Sequence, residues 1–142
     1  MRISFDIDDT IEAATFFAAL NILFLENHAV FAELVTRQFL ADHRVAVVPS
    51  LSAARKLVRS RTFDLVLSDY DLDDGKGDEF VRECRTLLPH LPIIAVSSHE
   101  SGNAALIRAG ASVVWSKMEF NRIQHVIEGS EKKTTGELGT VA

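Results

Sequence analysis

The sequence has a single cysteine, no long uninterrupted apolar run and no excess of basic residues. With Cys84 alone, no intrachain disulfide can form, and a reducing compartment such as the cytoplasm is favoured. The 15 Lys and Arg residues against 20 Asp and Glu residues give a formal charge of -5. The sequence lacks the basic cluster that binding to a nucleic-acid backbone needs, so we expect no nucleic-acid partner.

The most apolar stretch lies near the amino terminus, from Ile11 to Leu25. Glu12 and Asn21 interrupt it, and it is shorter than the roughly 20 residues of a membrane-spanning helix. Aspartates precede it, whereas a signal peptide has basic residues at that place. The sequence therefore predicts no membrane association and no export, and we expect a cytoplasmic location.

Short apolar runs alternate with segments of helical periodicity from residue 21 to residue 128. This alternation is typical of parallel strands joined by helical crossovers. Five runs are nearly continuous in apolar residues, as strands covered on both faces must be. They are Ile22–Leu25, Val45–Val48, Phe63–Leu67, Ile93–Val96 and Ser112–Trp115. The sequence predicts an α/β fold, with a doubly wound five-stranded parallel sheet and helices on both of its faces.

The 142 residues suit one domain with a short segment on either side. Residues 1–20 are predicted to be an N-terminal extension, in which Asp9 or Thr10 is placed to cap an extra apolar helix. Residues 21–128 hold the strands and helices of the domain. Residues 129–142 have no periodicity and little to bury, so we expect a mobile C-terminal tail.

Polar residues follow four of the five predicted strands. Ligands of open α/β sheets bind outside the carboxyl ends of the strands, so these residues are expected to share one crevice. They are Glu26 and Asn27 after the first strand, Asp69 and Asp71 after the third, Ser97 after the fourth and Lys117 after the fifth. Carboxylates, a hydroxyl and an ammonium group in one place suit phosphoryl transfer, which depends on positioning and charge neutralisation.

The charges of this crevice predict a metal ion. Glu26 and Asp69 would repel each other if both were ionised, and a small divalent cation relieves that repulsion while it contacts a phosphoryl oxygen. The Ser97 hydroxyl is suited to donate a hydrogen bond to a phosphoryl oxygen, and Lys117 to neutralise another. We therefore expect Mg²⁺, or Mn²⁺ in its place, as the cofactor.

In order and spacing these segments resemble the response-regulator receiver domain of two-component signalling, over residues 21–128. Four stretches carry the resemblance, namely Ile22–His28, Leu65–Leu72, Pro92–Ser97 and Ala109–Lys117. The resemblance implies a flavodoxin-like fold with strand order 2-1-3-4-5, and it implies Asp69 as the phosphoacceptor. The implied metal ligands are Glu26, Asn27, Asp69 and, through its backbone carbonyl, Asp71.

The resemblance further implies a signalling protein and not an enzyme that turns over a separate substrate. Its phosphoryl donor would be a histidine kinase or a histidine phosphotransfer protein. No output segment follows residue 128, so we expect the signal to leave through protein contacts with a target that the sequence does not identify. The last two helices and the fifth strand form the family's usual contact surface, which leaves a homodimer open.

Three positions depart from the family pattern. Asn27 replaces the second acidic residue, and Met118 replaces the proline that usually follows the lysine. Val114 stands where the family often has a Tyr or Phe that responds to phosphorylation, and the neighbouring Trp115 should point to the other face of the sheet. These departures raise an alternative, a degenerate receiver that binds partners without being phosphorylated.

A second alternative rests on the amino terminus. Asp6, Asp8 and Thr10 match the Asp-x-Asp-x-Thr signature of haloacid dehalogenase-like phosphatases, which would use Asp6 as the nucleophile. That family needs a further acidic motif after its lysine, and this sequence has no Asp beyond Lys117. A capped helix accounts for the same residues.

The histidines show no spacing typical of metal ligands. They are His28, His43, His90, His99 and His125. We expect surface or helix-cap roles for them. For His99, which lies two residues beyond Ser97, the resemblance implies a further role, because the family tunes the lifetime of the phosphorylated state at this position together with Asp71.

Overall fold

The computed structural model of the chain describes residues 19–117, 123 and 126–130. The helix predicted within residues 1–20 therefore lies almost entirely outside the described residues, as do Met118 and residues 131–142 of the predicted tail. Among the helices in the described part, none has both the length and the apolar character needed to cross a bilayer.

Five parallel strands form the central sheet. They are β1 (Asn21–Leu25), β2 (Arg44–Val48), β3 (Leu65–Ser68), β4 (Ile93–Ala95) and β5 (Val113–Val114). Their order across the sheet is β2-β1-β3-β4-β5, and every neighbouring pair is parallel. The predicted doubly wound α/β fold, with strand order 2-1-3-4-5, is confirmed.

Helices cover both faces of this sheet, as expected. They are α1 (Ala29–Phe39), α2 (Leu51–Ser60), α3 (Gly77–Leu87) and α4 (Glu100–Ala109), and residues 126–130 are also helical. Side chains of α2, α3 and α4 pack on one face, against a core that includes Leu23, Leu25 and Val66. Side chains of α1 and the last helical segment pack on the other face, against Phe24 and Trp115.

The central strands are buried, whereas the two edge strands are not. All residues of β3 and β4, and all but the first of β1, are inaccessible to solvent. On the edges, Val47 of β2 and Val114 of β5 are each 41% exposed. The prediction that every strand is covered on both faces was wrong for β2 and β5, because the helices cover the middle of the sheet more completely than its margins.

The folded part includes described residues on either side of the predicted range 21–128. The Leu20 carbonyl accepts a hydrogen bond from the Arg44 N–H at 2.8 Å, and the Leu20 side chain packs against the core. At the other end, Ser130 is buried and its hydroxyl donates to the Ile127 carbonyl at 2.7 Å. Residues 129 and 130 therefore continue the last helical segment, although the mobile tail was predicted to begin at residue 129.

Candidate functional site

Strand register brings the ends of β1 and β3 side by side. Leu25 and Ser68 are partners in the parallel pairing, so the residues that follow them, Glu26 and Asp69, leave the sheet next to each other. Backbone hydrogen bonds hold both residues at this edge, from Glu26 N–H to Val48 C=O and from Asp69 N–H to Leu25 C=O, each 2.9 Å long. The two predicted carboxylates therefore share one buried region.

Lys117 reaches both carboxylates from the loop after β5. Its Nζ lies 3.0 Å from Glu26 Oε1 and 3.4 Å from Asp69 Oδ2. The same Nζ lies 4.6 Å from the centre of the Phe31 ring on α1, where the face of the ring attracts a cation. Three predicted site residues from distant segments are thus in contact, because the Lys117 ammonium group lies between the Glu26 and Asp69 carboxylates.

Asp69 is only 5% exposed to solvent. Its Oδ1 accepts a hydrogen bond from the Tyr70 backbone N–H at 2.7 Å. Burial, followed by the nearby Glu26 carboxylate, raises the pKa of Asp69 above its usual value, while Lys117 and the Tyr70 N–H act in the opposite direction. The ionised form of Asp69 is therefore poorly stabilised by the protein alone, and an added cation beside it would be favourable.

Gly77, the first residue of α3, allows that helix to begin against the backbone of Asp69. A Cβ at residue 77 would lie 2.0 Å from the Asp69 carbonyl oxygen and 2.9 Å from Ser68 Oγ. The Gly77 N–H donates to the Tyr70 carbonyl at 2.6 Å. The segment that carries Asp69 is therefore fixed by close backbone packing.

Ser97 is buried just beyond β4, the strand next to β3. Its backbone N–H donates to Asn103 Oδ1 at 2.8 Å, and its Oγ accepts from the His99 N–H at 3.2 Å. Because Oγ is the acceptor in this bond, the hydroxyl hydrogen is available to another acceptor. A Cβ at residue 102 would lie 2.6 Å from Ser97 Oγ, so glycine at that position gives the hydroxyl its space.

Asn27 and Asp71 are less buried than Glu26 and Asp69. Asn27 Nδ2 donates to Asp73 Oδ1 at 3.3 Å, while Asn27 Oδ1 is buried and has no hydrogen-bond partner among the described residues. The Asp71 carboxylate is 55% exposed and accepts a hydrogen bond from the Lys76 ammonium group, with which it also forms an ion pair. This hydrogen bond, and then the charge of Lys76, lowers the pKa of Asp71. The expected contribution of Asp71 through its backbone carbonyl stays a prediction.

The described residues fit a divalent cation. Glu26, His28 and Asp69 each offer one ligand atom, and the three atoms lie within 4.8 Å of one another. The unpaired Asn27 oxygen is a further oxygen donor next to them in the chain, and buried polar atoms without a partner are rare unless something binds them. Carboxylate and amide oxygens are ligands that Mg²⁺ and Mn²⁺ accept.

His28 was not predicted as a site residue. It occupies the N-cap position of α1, but its side chain makes no capping hydrogen bond. Instead, its Nδ1 lies 3.0 Å from Glu26 Oε2. The sequence signal for His28 is its position directly after Glu26 and Asn27 at the end of a strand. Histidine spacing alone does not reveal this signal, because the other ligands are carboxylates.

The residues before Lys117 lie as the sequence predicted. Val114 is 41% exposed, whereas Trp115 is 1% exposed within the core formed with α1. The two side chains therefore point to opposite faces of the sheet. Trp115 is therefore fixed in the core and does not occupy the position of the expected Tyr or Phe, which is Val114.

A family model described as the response regulator receiver domain matches residues 22–128. Transcriptional regulatory protein ZraR of Salmonella typhimurium is 30% identical over 89 residues, which are 61% of this chain and 20% of that protein. The chain thus spans about a fifth of the length of the curated relatives that it matches.

Solved structures show the same fold. A response regulator from Chloroflexus aurantiacus superimposes with a TM-score of 0.71 at 21% identity, over 80% of this chain and 98% of that one. Response regulator protein TrrA from Thermotoga maritima, solved in complex with Mg²⁺ and BeF, superimposes with a TM-score of 0.70 at 19% identity, over 78% and 97% of the two chains.

Proposed function

This chain belongs to the response regulator receiver domain family, and from that premise we propose that it accepts a phosphoryl group on Asp69. The donor is the phosphohistidine of a histidine kinase or of a histidine phosphotransfer protein. Mg²⁺ or Mn²⁺ assists the transfer, which takes place in the cytoplasm. The phosphorylated domain then signals through contacts with a target protein.

The main support for this proposal is the contact of Lys117 with both Glu26 and Asp69. Two buried carboxylates with one ammonium group within 3.4 Å of both make a site in which one negative charge is not balanced. The solved relative TrrA binds Mg²⁺ and BeF, and fluoroberyllate resembles a phosphoryl group in shape and charge. A cation and a phosphoryl group suit the corresponding place in this chain.

The transfer itself is a displacement at phosphorus. One carboxylate oxygen of Asp69 attacks the phosphorus, an O–P bond forms as the P–N bond breaks, and the released imidazole keeps the electron pair and takes up a proton. A bound divalent cation supplies positive charge to the phosphoryl oxygens. Lys117 neutralises one phosphoryl oxygen, and the Ser97 hydroxyl donates to another.

Treatment with acetyl phosphate tests the proposal. Wild-type protein with Mg²⁺ or Mn²⁺ is expected to gain the mass of one phosphoryl group, and Asp69→Asn is expected to gain none. Asp6→Asn is the matched control, because Asp6 is the nucleophile of the phosphatase alternative. Uptake that persists in Asp69→Asn, or uptake that is lost in Asp6→Asn, would contradict the proposal.

A degenerate receiver that binds partners without phosphate is the second candidate. It is favoured by Asn27, whose amide brings no charge to the site and donates to Asp73. It predicts no mass gain with either cation at any concentration. The same experiment therefore separates the two candidates.

A further inference from the structure

The His28 ring contacts a carboxylate that belongs to the proposed metal site. Nδ1 of His28 and Oε2 of Glu26 are 3.0 Å apart. Two neighbouring ligands of an octahedral ion with bonds of about 2.1 Å are separated by about 3.0 Å. The contact therefore has the separation that two ligands of one cation have.

We propose that His28 is a nitrogen ligand of the cation beside Asp69, and that the site therefore selects Mn²⁺ over Mg²⁺. The inference rests on the proposed function only in placing a cation next to Asp69. The ligand set would be Glu26 Oε2, His28 Nδ1 and a carboxylate oxygen of Asp69, which are the three groups that the structure brings within 4.8 Å.

The partners of each group leave these atoms suitable for a metal. Lys117 contacts the other oxygen of Glu26, Oε1. Oε2 faces the imidazole and accepts a hydrogen bond from the His28 backbone N–H at 3.2 Å, which holds this oxygen beside Nδ1 and leaves it a lone pair for a metal. The His28 side chain is 73% exposed, so its second nitrogen can carry the proton in water while Nδ1 binds. A metal-binding histidine has this tautomer, with the proton on the nitrogen away from the ion.

The chemistry of the ligands determines which cation is preferred. Mg²⁺ prefers oxygen ligands and gives up its waters reluctantly. Imidazole suits zinc, copper, iron and nickel ions best, and Mn²⁺, which is also at home among carboxylate oxygens, is a transition ion that accepts a nitrogen ligand more readily than Mg²⁺ does. Asn27 adds an oxygen without a charge, so the site attracts either divalent cation less strongly than one with a third carboxylate. The nitrogen ligand is what shifts the preference from Mg²⁺ toward Mn²⁺.

A plain hydrogen bond from Nδ1–H to Glu26 is the competing explanation of the same contact. His28→Gln separates the two, because glutamine retains a side-chain N–H donor but has no imidazole nitrogen. His99→Gln is the matched control. His99 is also at the N-cap of a helix and also lacks a side-chain capping bond, but it does not belong to the cluster.

Electron spin-echo envelope modulation detects a nitrogen ligand of bound Mn²⁺ directly. Calorimetric titration gives the affinities for Mn²⁺ and Mg²⁺. Wild type and His99→Gln are expected to show modulation from a coordinated imidazole nitrogen, and His28→Gln is expected to show none. Loss of even an outer-shell partner typically lowers metal affinity about tenfold or more, so the Mn²⁺ affinity of His28→Gln, which loses a direct ligand, should fall at least that far. Mg²⁺ does not depend on the nitrogen, so its affinity should stay the same and the Mn²⁺ to Mg²⁺ affinity ratio should fall about tenfold or more.

Bound Mn²⁺ without imidazole modulation in the wild type would overturn the inference. So would an unchanged Mn²⁺ to Mg²⁺ affinity ratio in His28→Gln. Neither result touches the proposed function, which would still hold if Asp69 takes up a phosphoryl group with Mg²⁺. If the proposed function is wrong, the acetyl phosphate experiment shows it separately, because the protein then takes up no phosphoryl group with either cation.

Discussion

At the scale of single residues, the carboxyl edge of the sheet holds buried charge that is not fully compensated. Glu26 and Asp69 are 1% and 5% exposed, and Lys117 is the cation that contacts both within the described residues. Two buried anions beside one cation are costly, because burial disfavours charge that is not fully compensated. A functional site of this kind lowers the stability of the domain that holds it.

Asp69→Asn is therefore expected to stabilise the metal-free protein at neutral pH. Because the folded-state pKa of Asp69 is raised, the fold prefers the protonated carboxyl, and the ionised carboxylate lowers stability above that pKa. Asparagine is neutral at every pH. The melting temperature of Asp69→Asn should exceed that of the wild type at pH 7, and the difference should vanish below the unfolded-state pKa of about 3.9.

Thermal unfolding followed by circular dichroism at several pH values checks this expectation. Asp42→Asn is the control, because Asp42 is exposed and its replacement should leave the melting temperature unchanged. A lower melting temperature for Asp69→Asn at neutral pH would show that the contact with Lys117 outweighs burial and repulsion.

The sequence predicted some site residues and missed others for a physical reason. Glu26, Asp69 and Lys117 come directly after apolar runs, so the topology of a parallel sheet is enough to bring them together. The position of the His28 ring depends on how the chain turns from β1 into α1, and no periodic pattern reports that turn. The contact between Asn27 and Asp73 joins residues 46 positions apart in two irregular loops.

At the scale of elements, the start of α3 is what fixes the Asp69 loop. An antiparallel pair of two-residue strands, Asp71–Leu72 and Gly75–Lys76, leads from that loop into the helix. The sequence does not predict this pair, because strands of two residues have no recognisable alternation. The five main strands were predictable because each lies in a nearly continuous apolar run, but the exposure of the edge strands depends on where the helices lie.

Gly77→Ala is expected to destabilise the domain by about 1–3 kcal/mol, as overpacking of a close contact does. The new methyl group would lie 2.0 Å from the Asp69 carbonyl oxygen, so either α3 or the Asp69 loop must move. Gly129→Ala is the matched control, because a Cβ at residue 129 has no atom within 4 Å.

Urea unfolding of both variants measures the effect, and acetyl phosphate uptake shows whether the Asp69 loop has moved. Gly129→Ala should be as stable as the wild type, or more stable, since alanine favours a helix over glycine. Equal stability of Gly77→Ala and the wild type would show that the close approach at Asp69 is relaxed at no cost.

On the scale of the whole molecule, one sheet joins two apolar cores. Alternate residues of the central strands point to opposite faces, so that Leu23 and Leu25 enter one core while Ile22 and Phe24 enter the other. Cys84 lies in the first core and Trp115 in the second. Because both cores depend on the same strands, neither can lose its packing without the other.

Both cores are therefore expected to unfold in a single transition. Burial raises the pKa of the Cys84 thiol to about 12, so the native thiol should resist alkylation at neutral pH and react only on unfolding. The chain has one cysteine and one tryptophan, so each probe reports one core. Pulsed alkylation of Cys84 and the fluorescence of Trp115 should give the same urea midpoint, and two separate midpoints would indicate that the cores unfold independently.

The position of the phosphoryl group tests the central claim most directly. Protein treated with acetyl phosphate and Mn²⁺ or Mg²⁺ is reduced with borohydride, which converts an aspartyl phosphate to homoserine, and its peptides are sequenced by mass spectrometry. The account predicts homoserine at residue 69 alone. Homoserine at Asp6 or at any other aspartate, or unmodified Asp69 with both cations, would contradict it.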